Sequence, residues 1–364
     1  MKASVIDIAQ EDLDDLRRRL ERARFALDAP GELWDYGVPG KLVRELVDYW
    51  RDGYDWRRWE AELNRHPQYE TVIDGQRIHF LHVRSPRPDA LPLVLSHGWP
   101  GSVAEFLDVI EPLTEPAGGG LAFHLVIPSL PGFGFSGPTG EPGWNVPRIA
   151  RAWATLMRQL GYERYGAVGN DWGSYIAPEV GTADPGAVVG AHVTQLFDGA
   201  GTGFTPQNAE EEAALAGRRW GRDHLDAYGI LHRQQPHTLA HALMDSPVGL
   251  LAWHLQIFRE GLDPDFVLTN VMIYWLTGTA PSAMRLYYEF DRTPPRPPTT
   301  VPVGLAQFTE DWPSVRRLAE LEHTNIVSWH EYDRPGHFAA HQSPDLLVAD
   351  VRGFFTKLLD GPAR

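Results

Sequence analysis

Near the middle of the chain, Gly169-Asn170-Asp171-Trp172-Gly173 follows the short apolar run Tyr165 to Val168 and sets a carboxylate between two glycines. In the Gly-x-Ser-x-Gly elbow a nucleophile sits on a strained strand-to-helix turn, and the residues two before and two after it must be small because a Cβ there meets neighbouring backbone. Here Asp171 stands at the apex. A carboxylate in that position attacks saturated carbon and leaves an ester between enzyme and substrate.

An elbow of this kind orders its partners along the chain as nucleophile, acid, then histidine. Downstream of Asp171 lie the adjacent Glu310 and Asp311, beyond the apolar run from Val301, and then His337 in Arg334-Pro-Gly-His-Phe-Ala-Ala340. Both loops follow strand carboxyl ends, where open α/β sheets build their sites. Upstream, Ser96-His97-Gly98-Trp99-Pro100-Gly101-Ser102 makes a glycine-rich loop that can present the Trp99 N–H to an oxyanion, paired with that of Trp172. Pro100 is a candidate for a cis peptide bond in this tight turn.

These groups need a scaffold, and the patterning predicts one. Leu91 to His97, Leu121 to Pro128, Tyr165 to Val168 and Val188 to Val193 are apolar runs suited to strands buried on both faces. Helical patterns at 104–113 and 146–160 alternate with them, which implies a mainly parallel sheet with crossovers on both faces. Tyr69 to Ile73 and Arg77 to Val83, joined by Asp74-Gly75, form an antiparallel pair at its start. Before residue 69 the chain reads as amphipathic helices with four tryptophans and little strand signal, an arm wrapped on the main domain. Between about 200 and 295 the strand signal disappears into aromatic-rich helical sequence, a cap that ends at the stiff Thr293-Pro-Pro-Arg-Pro-Pro298 connector. The expected division is an arm over 1–68, a first core segment over 69–199, a cap over 200–295 and a second core segment over 296–364.

Composition narrows the partners. The 364 residues carry 33 basic and 48 acidic side chains, a net charge of −15, and no basic run exceeds Arg17-Arg18-Arg19, which argues against nucleic acid and anionic membrane surfaces. The absence of cysteine excludes disulfides, thiolate catalysis and cysteine metal sites. The start of the sequence has no signal-peptide core, and no apolar stretch approaches a membrane span. A cytoplasmic enzyme is expected, with a homodimer left open.

The motifs His97-Gly-Trp-Pro-Gly-Ser102, Gly169-Asn-Asp-Trp-Gly-Ser174, Asp245-Ser-Pro-Val-Gly-Leu250, Trp275-Leu-Thr-Gly-Thr279 and Gly336-His-Phe-Ala-Ala340 resemble those of the microsomal-type epoxide hydrolases of the α/β-hydrolase superfamily. The resemblance covers nearly the whole chain and implies the α/β-hydrolase fold, a mostly parallel eight-stranded sheet flanked by helices, with a helical cap and an N-terminal helical arm. It implies Asp171 as nucleophile, His337 as base, Trp99 and Trp172 as the oxyanion hole, and two cap tyrosines, Tyr228 and Tyr287, as proton donors to the epoxide. Tyr288 is the alternative to Tyr287. The family's acid lies 27 residues before its histidine, and 337 − 310 = 27, which favours Glu310 over Asp311.

Departures include Pro335 for a glycine, Asn170 for a common glycine, Gln342 for a glutamate, Ala227 before Tyr228, and Pro178 within the elbow helix. The implied reaction opens an epoxide with water to a vicinal diol, with no metal or organic cofactor, in detoxification or secondary metabolism. The aromatic cap suggests a bulky or aryl substrate. Haloalkane dehalogenase chemistry, which uses the same aspartate, and a non-catalytic ligand-binding protein of this fold are the alternatives.

Overall fold

The computed structural model describes residues 1–31, 34–197 and 204–361. Nine strands form one sheet: β1 (Lys2–Ser4), β2 (Gln68–Ile73), β3 (Gln76–Val83), β4 (Leu91–Ser96), β5 (Phe123–Pro128), β6 (Tyr165–Gly169), β7 (Val188–Val193), β8 (Val303–Thr309) and β9 (Ile326–Pro335). Their order is β1-β2-β3-β5-β4-β6-β7-β8-β9. Pairing is antiparallel as far as β3 with β5 and parallel beyond it. The expected eight strands become nine because Lys2–Ser4 of the arm pairs with Gln68–Glu70 of β2 at the sheet edge. Three residues are too few to leave a periodic signal.

The central strands are buried along their length, as their unbroken apolar runs require. Helices Val146–Gln159 and Trp172–Ala183 pack together beside them. Pro178 lies inside the second of these and does not end it.

Six helices occupy the chain from Ala209 to Phe290, and no described residue of that span is in a strand. The three helices before residue 69, Gln10–Glu21, Gly40–Asp52 and Trp56–Asn64, contact this helical region. Arg19 donates to the Asp245 carbonyl at 2.8 Å, the Tyr49 hydroxyl to Asp265 at 2.7 Å, and the Tyr54 and Thr269 hydroxyls meet at 2.9 Å. The apolar stripes before residue 69 signalled packing on a larger body, and these contacts put part of that body in the helical region. Among the described residues no helix is long and apolar enough to cross a membrane.

Candidate active site

The turn after β6 is as tight as its glycines imply. A Cβ on Gly169 would meet the Gly173 carbonyl oxygen at 1.9 Å, and one on Gly173 would meet the Ser96 carbonyl oxygen at 1.9 Å. Between them Asp171 has φ 52° and ψ −118°, a conformation that non-glycine residues hold only where surrounding bonds fix them. Its N–H donates to Gln195 Oε1 at 2.9 Å, and its carbonyl accepts from Ser174 N–H at 2.9 Å.

The loop after β4 reaches this apex. Trp99 N–H donates to Asp171 Oδ1 at 2.8 Å, and the Trp172 N–H also acts on the carboxylate. The Trp99–Pro100 peptide is cis, in line with the sequence expectation. Two residues of helix Pro264–Thr277 hold the loop: Tyr274 donates to the Gly101 carbonyl at 2.8 Å, and Asn270 Oδ1 accepts from the Ser102 hydroxyl at 2.7 Å.

His337 arrives from the loop after β9, its Nε2 lying 3.9 Å from Asp171 Oδ2. Its Nδ1 is 2.8 Å from Asp311 Oδ1. The structure thus brings Asp311 to the histidine, whereas Glu310 is exposed and takes no part in this cluster. Glu310 has φ 63°, and the turn it makes swings the next residue inward, leaving the Asp311 side chain 4% exposed. Residue spacing misled here because pairing between β8 and β9 is irregular at this end: Phe308 faces Tyr332, but Thr309 faces Pro335. Such a shift absorbs residues, so a difference of one does not fix which carboxylate faces the ring.

The tyrosines expected of the cap lie close together. The Tyr228 ring stacks on Trp99 at 4.8 Å, the Tyr287 ring meets Trp172 edge-on at 4.6 Å, and the two tyrosine rings are 6.0 Å apart. Tyr288 instead lies under the Arg292 guanidinium and lines a separate cleft of about 560 Å³ with Trp144 and Arg285.

Burial sets the charge pattern. It pushes the His337 imidazole down, but Asp311, then Asp171 and Glu105, outweigh this and lift it to about 9. Burial raises Asp171, opposed by His337 and the Trp99 and Trp172 N–H groups. Burial, with the Asp171 carboxylate nearby, pushes the Tyr228 and Tyr287 hydroxyls well above the ordinary tyrosine range, so both carry their protons at neutral pH.

Other groups here escaped the sequence reading. Glu105, in the short helical turn Val103–Phe106, is fully buried and lifted by burial to about 8, and its Oε1 accepts from Asn170 Nδ2 at 2.7 Å. His232 and His254 are buried edge-on to Trp99, at 4.9 and 5.4 Å. Glu105 lies three residues past the Ser96–Ser102 loop, in a stretch that read only as the start of a helix, and the two histidines look like any others in helical sequence. The i, i+4 step from Tyr228 to His232 was the available clue.

The chain matches the family model described as epoxide hydrolase N terminus over residues 1–106, and the α/β-hydrolase fold model over residues 92–180. A Stigmatella aurantiaca protein bearing an epoxide hydrolase name is 41% identical over 97% of this chain and 84% of its own length. Epoxide hydrolase 1 of Sus scrofa is 31% identical over 96% of this chain and 87% of its own. The structure of Aspergillus niger epoxide hydrolase superposes with a TM-score of 0.88, at 30% identity, over 98% of this chain and 96% of that one. With the sheet, the elbow and the helical region in place, these likenesses show that the chain belongs to the epoxide hydrolase family of α/β-hydrolase-fold enzymes.

Proposed function

We propose that the chain hydrolyses an epoxide to a vicinal diol through a covalent ester on Asp171, with His337 as base, Asp311 as its acid, Tyr228 and Tyr287 as proton donors, and the Trp99 and Trp172 N–H groups as the oxyanion hole. The observation that carries this reading is the division of labour at one carboxylate: Asp171 Oδ1 accepts the Trp99 N–H at 2.8 Å, while Oδ2 faces His337 Nε2 at 3.9 Å.

Oδ2 attacks a ring carbon, and the breaking C–O bond leaves a basic oxygen that takes a proton from the tyrosine pair. Hydroxyls that hold their protons at neutral pH are suited to donate them to that strongly basic oxygen. Alkylation neutralises Asp171 and so removes one of the charges that hold His337 protonated. The imidazolium then sheds a proton, balancing the one delivered at the ring oxygen. Neutral Nε2 next takes a proton from water, whose oxygen adds to Asp171 Cγ. Negative charge gathers on Oδ1 between the two N–H groups, each worth about 3 kcal/mol to such a step. Collapse breaks the Cγ–Oδ2 bond, the leaving oxygen takes the proton back from Nε2, and the diol departs with Oδ2; Asp171 keeps the water oxygen and passes the remaining water proton to His337, restoring the carboxylate and the imidazolium.

A single turnover in ¹⁸O-water tests this. The label is expected in the Asp171 peptide and not in the diol; a diol labelled in the first turnover, with unlabelled Asp171, overturns the covalent route. The aromatic surroundings formed by Trp99, Trp172, Tyr228 and Tyr287 support a bulky or aryl epoxide, testable over a panel of aryl and aliphatic epoxides. We further infer a cytoplasmic enzyme, divided into an arm (1–68), a cap (200–295) and two core segments (69–199 and 296–364); the proposed cap boundary at 200 lies outside the described residues. A homodimer is testable by light scattering.

A further inference from the structure

Behind the elbow is a buried set of amides that the reaction above leaves without an assignment. At its centre is Gln195, 0% exposed, two residues after β7. Its Oε1 accepts from the Asp171 N–H at 2.9 Å, the Ser174 hydroxyl at 2.8 Å and the Thr194 hydroxyl at 2.9 Å. Its Nε2 donates to Asn170 Oδ1 at 2.9 Å and to Asp311 Oδ2. The two ends of an amide are often interchangeable, but not here: a backbone N–H only donates and an ionised carboxylate only accepts, so the orientation is forced.

Asp311 is bound on its other oxygen by His337 Nδ1 at 2.8 Å and the Trp312 N–H at 2.8 Å. One side chain therefore bonds both the backbone of the strained residue that attacks and the carboxylate that orients the base. These groups come from different strand ends, β6 and β8, with β7 between them. Asn170, standing where the family motif commonly has glycine, extends the connection to Glu105 through its bond of 2.7 Å.

We propose that Gln195 is a positioning residue for the reaction, fixing the Asp311–His337 pair in register with Asp171 so that Nε2 and Oδ2 keep their separation through the hydrolytic step. This rests on the reading of Asp311 and His337 as acid and base. A carboxylate held through one oxygen alone, here by the imidazole and the Trp312 N–H, can still swing its plane; the amide on Oδ2 removes that freedom. Gln195 supplies this from a wholly buried position, so its effect is expected on hydrolysis of the ester rather than on substrate binding.

The test uses the full chain with styrene oxide as probe, measuring kcat, KM, the kcat–pH profile and, by intact mass after acid quench, the fraction present as alkyl-enzyme. Gln195→Met keeps the volume and removes both donor and acceptor. It is expected to lower kcat about 100-fold, as misplacement of about 1 Å does, with KM little changed or lower and alkyl-enzyme accumulating. Gln195→Glu keeps an acceptor for the Asp171 N–H but sets a second carboxyl against Asp311. The titratable groups around His337 are then Asp171, Asp311, Glu105 and the introduced carboxyl. Added negative charge holds the imidazolium, so the acid limb of kcat is expected to move up by about one pH unit.

If Gln195→Met does not fold, the profile of Gln195→Glu decides alone. Variants that lose thermal stability yet keep the wild-type kcat, ester fraction and pH profile overturn the proposal, because a purely structural side chain behaves that way. Asp311→Asn is run in parallel. If it stalls as alkyl-enzyme while the Gln195 variants turn over normally, only the Gln195 assignment fails; if it too hydrolyses normally, the acid–base reading fails and this inference with it.

Discussion

Two of the aspartate–histidine pairs among the described residues, Asp311–His337 and Asp350–His192, have a buried carboxylate, and they differ in what stands beyond the histidine. Asp311 holds His337 at 2.8 Å, and the other ring nitrogen, Nε2, faces Asp171. Asp350, in helix Pro344–Asp360, holds the wholly buried His192 at 2.9 Å, but it also accepts from His330 at 2.7 Å and from the Tyr332 hydroxyl at 2.5 Å. Three donors, opposed by burial, draw Asp350 down to about 2. The His192 ring lies against Phe354 at 5.6 Å. One pair is aimed at the strained Asp171; the other stitches the last helix to β7 and β9. An acid–histidine pair is thus a neutral building block, and its neighbour decides whether it does chemistry or holds the fold.

The largest expected effect separates the two pairs outright. Asp171→Asn should lower kcat by about 10⁵-fold, the scale seen when a triad nucleophile is lost. His337→Gln should leave the first half-reaction running, so that mass spectrometry after acid quench finds the ester-linked enzyme. Loss of the ester in His337→Gln would make that residue part of the attack as well.

Next in size are the cap donors. Tyr228→Phe and Tyr287→Phe should each lower the rate of alkylation by about 10²-fold, the lower range for a positioned acid, as measured by stopped-flow tryptophan fluorescence. The charge on Asp171 makes a further prediction about pH. With Asp171 ionised, His337 holds its proton up to about 9; once Asp171 is an ester, that contribution is gone. The acid limb of the ester-hydrolysis rate should therefore lie below pH 9, and a limb at or above 9 would break the link between alkylation and proton release.

The second pair should respond in stability alone. Asp350→Asn should cost about 2 kcal/mol in chemical denaturation, since it leaves buried donors poorly matched, with kcat unchanged. The folded-state pKa of Asp350 lies below the ordinary 3.8, so its contribution is present above that value and is lost as pH falls through about 2. The stability gap between wild type and variant should close across that window. The smallest effect is reserved for the other acid of the site loop: Glu310→Gln should keep kcat within about twofold, as surface changes away from a site do.

Much of the site was legible along the chain because its chemistry depends on local backbone. The glycines of the elbow are forced by contacts at 1.9 Å, and a turn that tight leaves its residue types in the sequence. The alternation of buried strands with helices likewise marked the parallel sheet, and the loss of strand pattern after about 200 marked the helical region. What was less legible were side chains whose meaning depends on distant partners. Glu310 and Asp311 differ by one residue, and a register shift between β8 and β9 decided which faced the ring. Glu105 and Gln195 are ordinary polar residues until they are buried, when each must find partners.

By residue type at a fixed local spacing, the sequence marked out Asp171 at the elbow apex, His337, the fold class and the family. Only the tertiary structure decided which carboxylate lies against His337, which of two adjacent tyrosines faces Trp172, that the N-terminal helices touch the helical region of 209–290, and that Gln195 bonds both Asp311 and the Asp171 backbone. Those are contacts across strand ends and helix faces, and short-range patterning carries no record of them.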